Sequence, residues 1–314
     1  MKELAADFGA NGLWLYDLGV WSQISTFNPE TLVSADFNAD GRDEVIADFG
    51  PAGLWHRDGT TWALVSGYDV DGLAAGNVDI DPAQELVADF GAIGLWLRDG
   101  TNWIQLSGVN ADSVQVGDLT GTSAAEIVGD FGATCLWYWS AGAWQILSGL
   151  NVENMAIGRK AVGGFLAGDF GATGLWVWDL AWSQASGVNA ESIITANANG
   201  NQIDELVGDF AALGLWSWEA GVWTQISTVN VDSVIRADIN GDDTDEIAGD
   251  FGAQGVWLLQ AGTWTQIDTR NPDILLAADV DGDNADEILA DLGALGLFMW
   301  NNNTWTQMSA MNLE

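Results

Sequence analysis

One nine-residue string constrains this chain more than any other feature, because it recurs from end to end. It reads ADFGANGLW first, then ADFGPAGLW, ADFGAIGLW, GDFGATCLW, GDFGATGLW, GDFAALGLW, GDFGAQGVW and ADLGALGLF. Its aspartates are Asp7, Asp48, Asp89, Asp130, Asp169, Asp209, Asp250 and Asp291, spaced by about 41 residues with a slight dip around Asp169 and Asp209. Self-similarity at such a period marks an array of supersecondary units. Asp-Phe-Gly also spells the metal-binding triplet of protein kinases. A kinase carries that triplet once, with a catalytic loop and a glycine-rich loop that this chain lacks, so the kinase reading is excluded.

Each unit reads as four short strands. In the unit that begins at residue 31 they fall at Leu32–Asp36, Glu44–Phe49, Leu54–Arg57 and Trp62–Ser66, each rich in Val, Ile, Trp or Ala and bounded by Gly, Asp or Asn. No segment keeps helical periodicity over ten or more residues. Four strands on this period predict an all-β fold, a β-propeller of four-stranded antiparallel blades. Complete units are expected at 31–71, 72–112, 113–153, 154–191, 192–232, 233–273 and 274–314, and residues 1–30 supply only second, third and fourth strands, with Glu3 matching Glu44. The expectation is a single propeller domain over 1–314, eight-bladed with an incomplete first blade. A seven-bladed ring with an extra flap is the alternative. Met1 then reads as a cut through a longer repeat array.

The 19 tryptophans fall into register with this scheme. Trp14, Trp55, Trp96, Trp137, Trp176, Trp216 and Trp257 sit in third strands, with Phe298 in the last; Trp21, Trp62, Trp103, Trp144, Trp182, Trp223, Trp264 and Trp305 open fourth strands. Repetition in every unit favours packing between splayed blades over a sugar-stacking platform.

Charge narrows the partners. The 314 residues hold 45 acidic and 8 basic side chains, a net charge of -37, while 48% are hydrophobic. That apolar content argues against disorder. Nucleic acid requires clustered Lys and Arg, so it is not an expected partner, nor is an anionic membrane surface. Cations suit such a field. One cysteine, Cys135, rules out an intramolecular disulfide, and one histidine, His56, leaves little for a multi-histidine metal site or a Ser-His-Asp triad. No apolar run is long enough to span a bilayer, and MKELAADFG lacks a signal-peptide pattern.

The loop between first and second strands carries the clearest chemistry. With Asp36 at position one, Asn38 and Asp40 stand at three and five, Arg42 offers a carbonyl at seven, and Glu44 stands at nine. Such a series can aim oxygens at one centre, as calcium requires. An EF-hand would need its glutamate at position twelve, which is Ala47, and helices on either side. The calcium reading survives without the EF-hand.

This loop on a four-stranded blade resembles the FG-GAP repeats of integrin α-chain propellers and the related VCBS-type repeats of bacterial surface proteins, whose pattern is Asp-x-Asp/Asn-x-Asp-Gly-x-x-Asp. The resemblance covers the whole chain. It implies structural Ca²⁺ in the hairpins, an extracellular or cell-surface location, and a role in adhesion or carbohydrate binding. The best-kept ligand sets are Asp36, Asn38, Asp40, Arg42 and Glu44; Asp238, Asn240, Asp242, Thr244 and Glu246; and Asp279, Asp281, Asp283, Ala285 and Glu287, with Arg42, Thr244 and Ala285 acting through backbone carbonyls. Asp243 and Asn284 stand at the turn-glycine position in two of them, where Asn and Asp tolerate left-handed backbone. Asn77, Asp79, Asp81 and Glu85 form a doubtful set, because Pro82 occupies the turn-glycine position with a locked negative φ. Asp118, Thr120, Thr122 and Glu126, and Asn197, Asn199, Asn201 and Glu205, are weaker. Gly158-Arg159-Lys160-Ala161 has lost the pattern and suggests a side-chain cation in place of the metal. The competing account of every loop is an Asx turn closed by its own hydrogen bonds.

The repeated aspartates end second strands and so approach the opposite face. There they meet Asn110-Ala-Asp112, Asn151-Val-Glu153, Asn189-Ala-Glu191, Asn230-Val-Asp232 and Asn271-Pro-Asp273. Turn capping explains such a ring; further cation or polyhydroxyl sites are the sharper alternative. Cys135 reads as an inert replacement of a turn glycine and His56 as a bystander. The leading expectation is a calcium-stabilised, non-catalytic binding or adhesion module, a monomeric domain of a longer exported bacterial protein, with a glycan or protein ligand. A lectin with sites between blades, a polysaccharide-acting enzyme and a structural spacer are the alternatives. Near-identical units and the lack of long insertions argue against the enzyme.

Overall fold

The second unit shows how the repeat string becomes a blade. In this computed structural model, which describes residues 3–314, Thr31–Ala35, Glu44–Asp48, Leu54–Asp58 and Thr61–Ser66 pair antiparallel in chain order. Register runs from Thr31 opposite Asp48 to Ala35 opposite Glu44. The first strand ends one residue before the expected Asp36, whose carboxylate already accepts the N–H groups of Asp40 and Gly41. The second strand stops at Asp48 rather than Phe49, because Phe49 opens a short 3-10 turn at Gly50–Ala52. Strand patterning alone did not anticipate this turn. It is closed by Gly53, whose N–H donates to Gly50 O at 2.7 Å.

Six more four-stranded sheets repeat this order, and Leu4–Asp7, Leu13–Asp17 and Val20–Ser25 form a three-stranded one. The fold is therefore an eight-bladed β-propeller whose first blade has three strands among the described residues. The seven-bladed alternative falls away because that smaller sheet packs as a blade. Its Ala6 and Phe8 share a core with Val280, Leu289 and Leu297 of the last unit. The link residue Glu314 donates its N–H to Asp7 O at 3.1 Å, as Glu30 does to Asp48 O at 2.8 Å. First strands neighbour one another around the axis, Thr31–Ala35 beside Gly72–Gly76 and then Ser113–Gly117.

Second strands such as Glu44–Asp48, Glu85–Asp89 and Glu126–Asp130 are buried along their whole length. They lie inside their sheets with a neighbouring blade on each face, so their sequences are continuously apolar between the acidic ends. Ile46, for example, joins a cluster with Leu86 and Ala88 of the next blade. Each fully buried Leu or Ile contributes about 1.5–3 kcal/mol, and the sum holds the splayed sheets together.

Fourth-strand tryptophans are the joints. Trp144 sets its ring edge-on to Phe131 at 5.3 Å and donates its indole N–H to Leu106 O of the preceding blade at 2.8 Å. Trp182, Trp223, Trp264 and Trp305 repeat the interblade bond at 2.7–2.8 Å. These rings combine burial with a satisfied polar tip. Third-strand tryptophans serve the 3-10 turn instead: Trp55 donates to Ala52 O and Trp137 to Thr134 O, both at 2.8 Å.

Candidate functional site

The first and third hairpin turns of every four-stranded blade open on one face of the ring. In the second blade, Asp36 holds the loop by accepting the N–H of Asp40 at 3.1 Å and of Gly41 at 2.9 Å. Asn38 Oδ1 accepts the Asp40 N–H, and Asn38 Nδ2 donates to Glu44 Oε1 at 2.8 Å. Glu44 is buried and takes the Phe37 N–H on its other oxygen at 2.8 Å. At position seven, the N–H groups of Arg42, Thr244 and Ala285 each donate to the residue two before, Asp40, Asp242 and Asp283, at 2.9 Å. The loops thus contain the internal bonds of an Asx turn, which organise the carboxylates without consuming all their acceptor capacity.

Three hairpins bring carboxylates together. Ligand oxygens of Asp36, Asp40 and Glu44 lie within 4.8 Å of one another, as do those of Asp279, Asp281 and Glu287, and those of Asp79, Asp81, Glu85 and Asp99. The last set stands in the loop whose Pro82 made it doubtful from sequence. There the Val78 N–H still reaches Glu85 Oε2 at 2.7 Å, and Glu85 Oε1 and Asn77 Oδ1 are buried without a partner. The Asp238 loop does not gather three carboxylates this closely among the described residues. Its Glu246 instead takes the amides of Gln260 at 3.1 Å and Asn240 at 3.2 Å, while Asp238 is occupied by backbone N–H groups of Gly241, Asp242 and Asp243. Asp283 lies outside the gathered trio of its loop.

A further member of these sites was missed from sequence: the last residue of the third strand. Asp99 completes the four-carboxylate set, and Asn301 Nδ2 donates to Glu287 Oε1 at 2.8 Å and Asp281 Oδ2 at 3.0 Å. Ser140 Oγ bonds Glu126 Oε1 at 3.1 Å in the same way. The signal was present, since this residue opens the Asp-Gly turn on the same face. In the divergent fifth blade, Lys160 Nζ pairs with Asp179, which follows that strand's last residue, so an ammonium stands at this end of the hairpin. Arg159 turns inward to Asp204 at 3.8 Å, beside Arg236, which lies 3.6 Å from Asp204 and 3.9 Å from Asp245. These groups line a cavity of about 620 Å³. His56, expected to be a bystander, has Nε2 4.0 Å from Glu44 Oε2 and packs edge-on to Phe37.

Burial pushes the Glu85 and Glu287 carboxyls up to about 7, and nearby loop aspartates add to the rise. Burial likewise raises Glu44. Clustered, desolvated oxygens that resist ionisation are what a hard cation relieves. The donor set fits Ca²⁺, which takes carboxylate, amide and carbonyl oxygens. A separate cleft of about 360 Å³ between the sixth and seventh blades is lined by Asn199, Glu205, Glu219 and Glu246, with no tryptophan among its lining residues.

On the opposite face the repeated aspartates cap the 3-10 turns. Asp7, Asp89, Asp130, Asp169, Asp250 and Asp291 each accept the N–H of the glycine two residues on at 2.9–3.2 Å, and Asp209 accepts that of Ala211 at 3.1 Å. Asp89, Asp169 and Asp291 also accept link N–H groups from Ala111, Ala190 and Leu313 at 2.6–2.9 Å. Link asparagines complete the arrangement. With its nitrogen toward the carboxylate, the Asn189 amide stands 2.9 Å from both oxygens of Asp169 and 3.2 Å from Gly171 O.

No protein-family model matches the chain, and no curated protein matches it. Solved structures share the fold. A crystal structure of BBS1N in complex with ARL6DN aligns over all of both chains at 12% identity with a TM-score of 0.60. The exotype rhamnogalacturonan lyase YesX aligns over 92% of this chain and 70% of its own at 12% identity and a TM-score of 0.53. At these identities the likeness concerns architecture alone, and function has to be argued from the sites.

Proposed function

We propose that this protein is a calcium-stabilised β-propeller that acts as a non-catalytic binding or adhesion module of an exported protein. The observation that carries the reading is the gathering of three or four carboxylates at each of three hairpins, with their ligand oxygens within 4.8 Å. Ca²⁺ held there neutralises charge that the fold has desolvated and ties second strand to third. The FG-GAP and VCBS resemblance of the loops supports an extracellular or cell-surface setting. BBS1N, of the same architecture, is crystallised with a protein partner, which agrees with a protein ligand here.

A cation that binds only the folded state stabilises it by mass action, about 2.7 kcal/mol at a hundredfold excess over Kd for one site. Removing metal with chelator therefore lowers the melting temperature, and added Ca²⁺ restores it. An identical melting curve after verified metal removal refutes the reading. The interblade cleft at Glu205 and Glu246 gives the lectin alternative a location. A glycan array that scores calcium-dependent binding in wild type, lost in Glu219→Ala, is the result that would favour it.

A further inference from the structure

One blade breaks the pattern of the capping face. The link residue facing each repeated aspartate is Asn28, Asn110, Asn151, Asn189, Asn230, Asn271 or Asn312 in seven cases, and Asp69 in the eighth. In six of the seven, all but Asn312, the asparagine amide with its nitrogen turned toward the carboxylate fills a cage of oxygens. In the third blade Asn110 Nδ2 lies 3.1 and 3.2 Å from the Asp89 oxygens, 3.2 Å from Asp71 Oδ2 and 3.3 Å from Gly91 O. In the first, Asn28 Nδ2 lies 2.8 Å from Asp7 Oδ1 and 3.1 Å from Gly9 O. Asp69 replaces that donor with another acceptor.

The consequence is visible at Asp48. Its side chain is fully buried, and neither carboxylate oxygen meets a donor in full hydrogen-bond geometry among the described residues; the Val70 N–H and the Asp69 carboxyl are the polar groups beside it. Oxygens of Glu30, Asp48 and Asp69 lie within 4.8 Å of one another. A buried, unpartnered carboxylate costs several kcal/mol unless a positive group meets it. In the other blades the amide nitrogen marks where that group stands.

We propose that Glu30, Asp48 and Asp69 bind one divalent, oxygen-seeking cation of the calcium class at the position the asparagine nitrogen holds in the other blades. This site lies on the face opposite the hairpins and is independent of them. The three carboxylates supply the charge, and Glu30 and Asp69 leave it open to solvent from the link side. Burial, reinforced by Asp69 and then Glu30, pushes Asp48 up to about 7, in keeping with a site that lacks its counter-charge.

The test counts calcium ions bound per full-length chain by equilibrium dialysis near neutral pH. Asp69→Asn gives this blade the amide of the others, so it folds and binds one ion fewer than wild type. Asp48→Asn also loses one ion. Asp279→Ala reports on a hairpin alone: if it leaves the count unchanged while Asp69→Asn lowers it, the hairpin reading fails and this site stands. Equal counts for wild type and Asp69→Asn overturn the proposal. An equal count with a higher melting temperature for Asp69→Asn in chelator does so as well, and assigns the pair a shared proton instead.

Discussion

Replacing Cys135 by glycine is expected to stabilise the protein. The residue that closes each 3-10 turn has φ between 74° and 91° with ψ near 180°, at Gly12, Gly53, Gly94, Cys135, Gly174, Gly214, Gly255 and Gly296. Cys135 stands there with φ 85° and ψ 174°. This backbone region is essentially reserved for glycine, and a side chain in it costs of order 1–3 kcal/mol. The crowding has a visible source: a Cβ on Gly94 would stand 2.2 Å from Ser107 O, and one on Gly214 2.3 Å from Ser227 O. Against this relief, glycine gives the unfolded chain more freedom, worth about 0.4–1 kcal/mol. The thiol is only half-buried, so little apolar burial is lost. The balance for Cys135→Gly is a gain of about 1–2 kcal/mol. For 314 residues that raises Tm by roughly 1.5–3 °C. Thermal melts and denaturant midpoints with an unchanged m-value read it directly. Cys135→Ala is the control, since it keeps the Cβ and the strain and gains nothing comparable. Melting of Cys135→Gly at or below wild type, with Cys135→Ala above it, would refute the strain argument.

Three more outcomes follow from the same geometry. Trp144→Phe keeps most of the interblade ring but orphans Leu106 O, at a cost of about 1 kcal/mol, whereas Trp144→Ala costs about 3–5 kcal/mol; equal denaturant midpoints for the two would show that the joint does not bear load. Asp99→Ala removes the fourth carboxylate from the Asp79 hairpin and weakens the tightest calcium step on the order of tenfold, measured by titration calorimetry; unaltered binding removes the third-strand residue from the site. In chelator, stability depends on capping aspartates such as Asp209 and Asp250, pushed up to about 6 mainly by burial. Each holds its proton more tightly folded than unfolded, so its stabilising contribution is complete below about pH 4 and is lost as pH rises through 6. Acidifying the metal-free protein from pH 7 to 5 therefore raises its melting temperature, and a fall would contradict the assignment.

Much of the architecture is legible because it is written eight times. The string from Asp89 to Trp96 encodes a strand end, a capped turn and the next strand within one local segment, so period and composition reveal it. The first-strand loops are equally local, and Asp36, Asp40 and Glu44 could be nominated from spacing. What escaped depends on pairing between distant residues. Asp99 reaches the Asp79 loop only because antiparallel register returns the third strand to that face. Pro82 governs the turn itself, but carboxylate convergence is decided by side chains on either side of it. Asp69 was overlooked for a simpler reason: it matters only against the seven asparagines in the same register.

The tryptophan joints give the ring a direction. Seven of the eight fourth-strand indoles, all but that of Trp103, donate backward, from their own blade to the one before, and Trp21 makes the same bond to Met308 O at 2.9 Å that Trp144 makes to Leu106 O at 2.8 Å. In this bond the seam between last and first blades copies an ordinary joint, although the first blade meets it with three strands among the described residues. The molecule is a head-to-tail cyclic assembly contained in a single polypeptide, with the closure logic of a rotationally symmetric oligomer. Whole units can be inserted or removed in such a ring without creating a foreign contact; the quantity that changes is the wedge angle every remaining joint must accept.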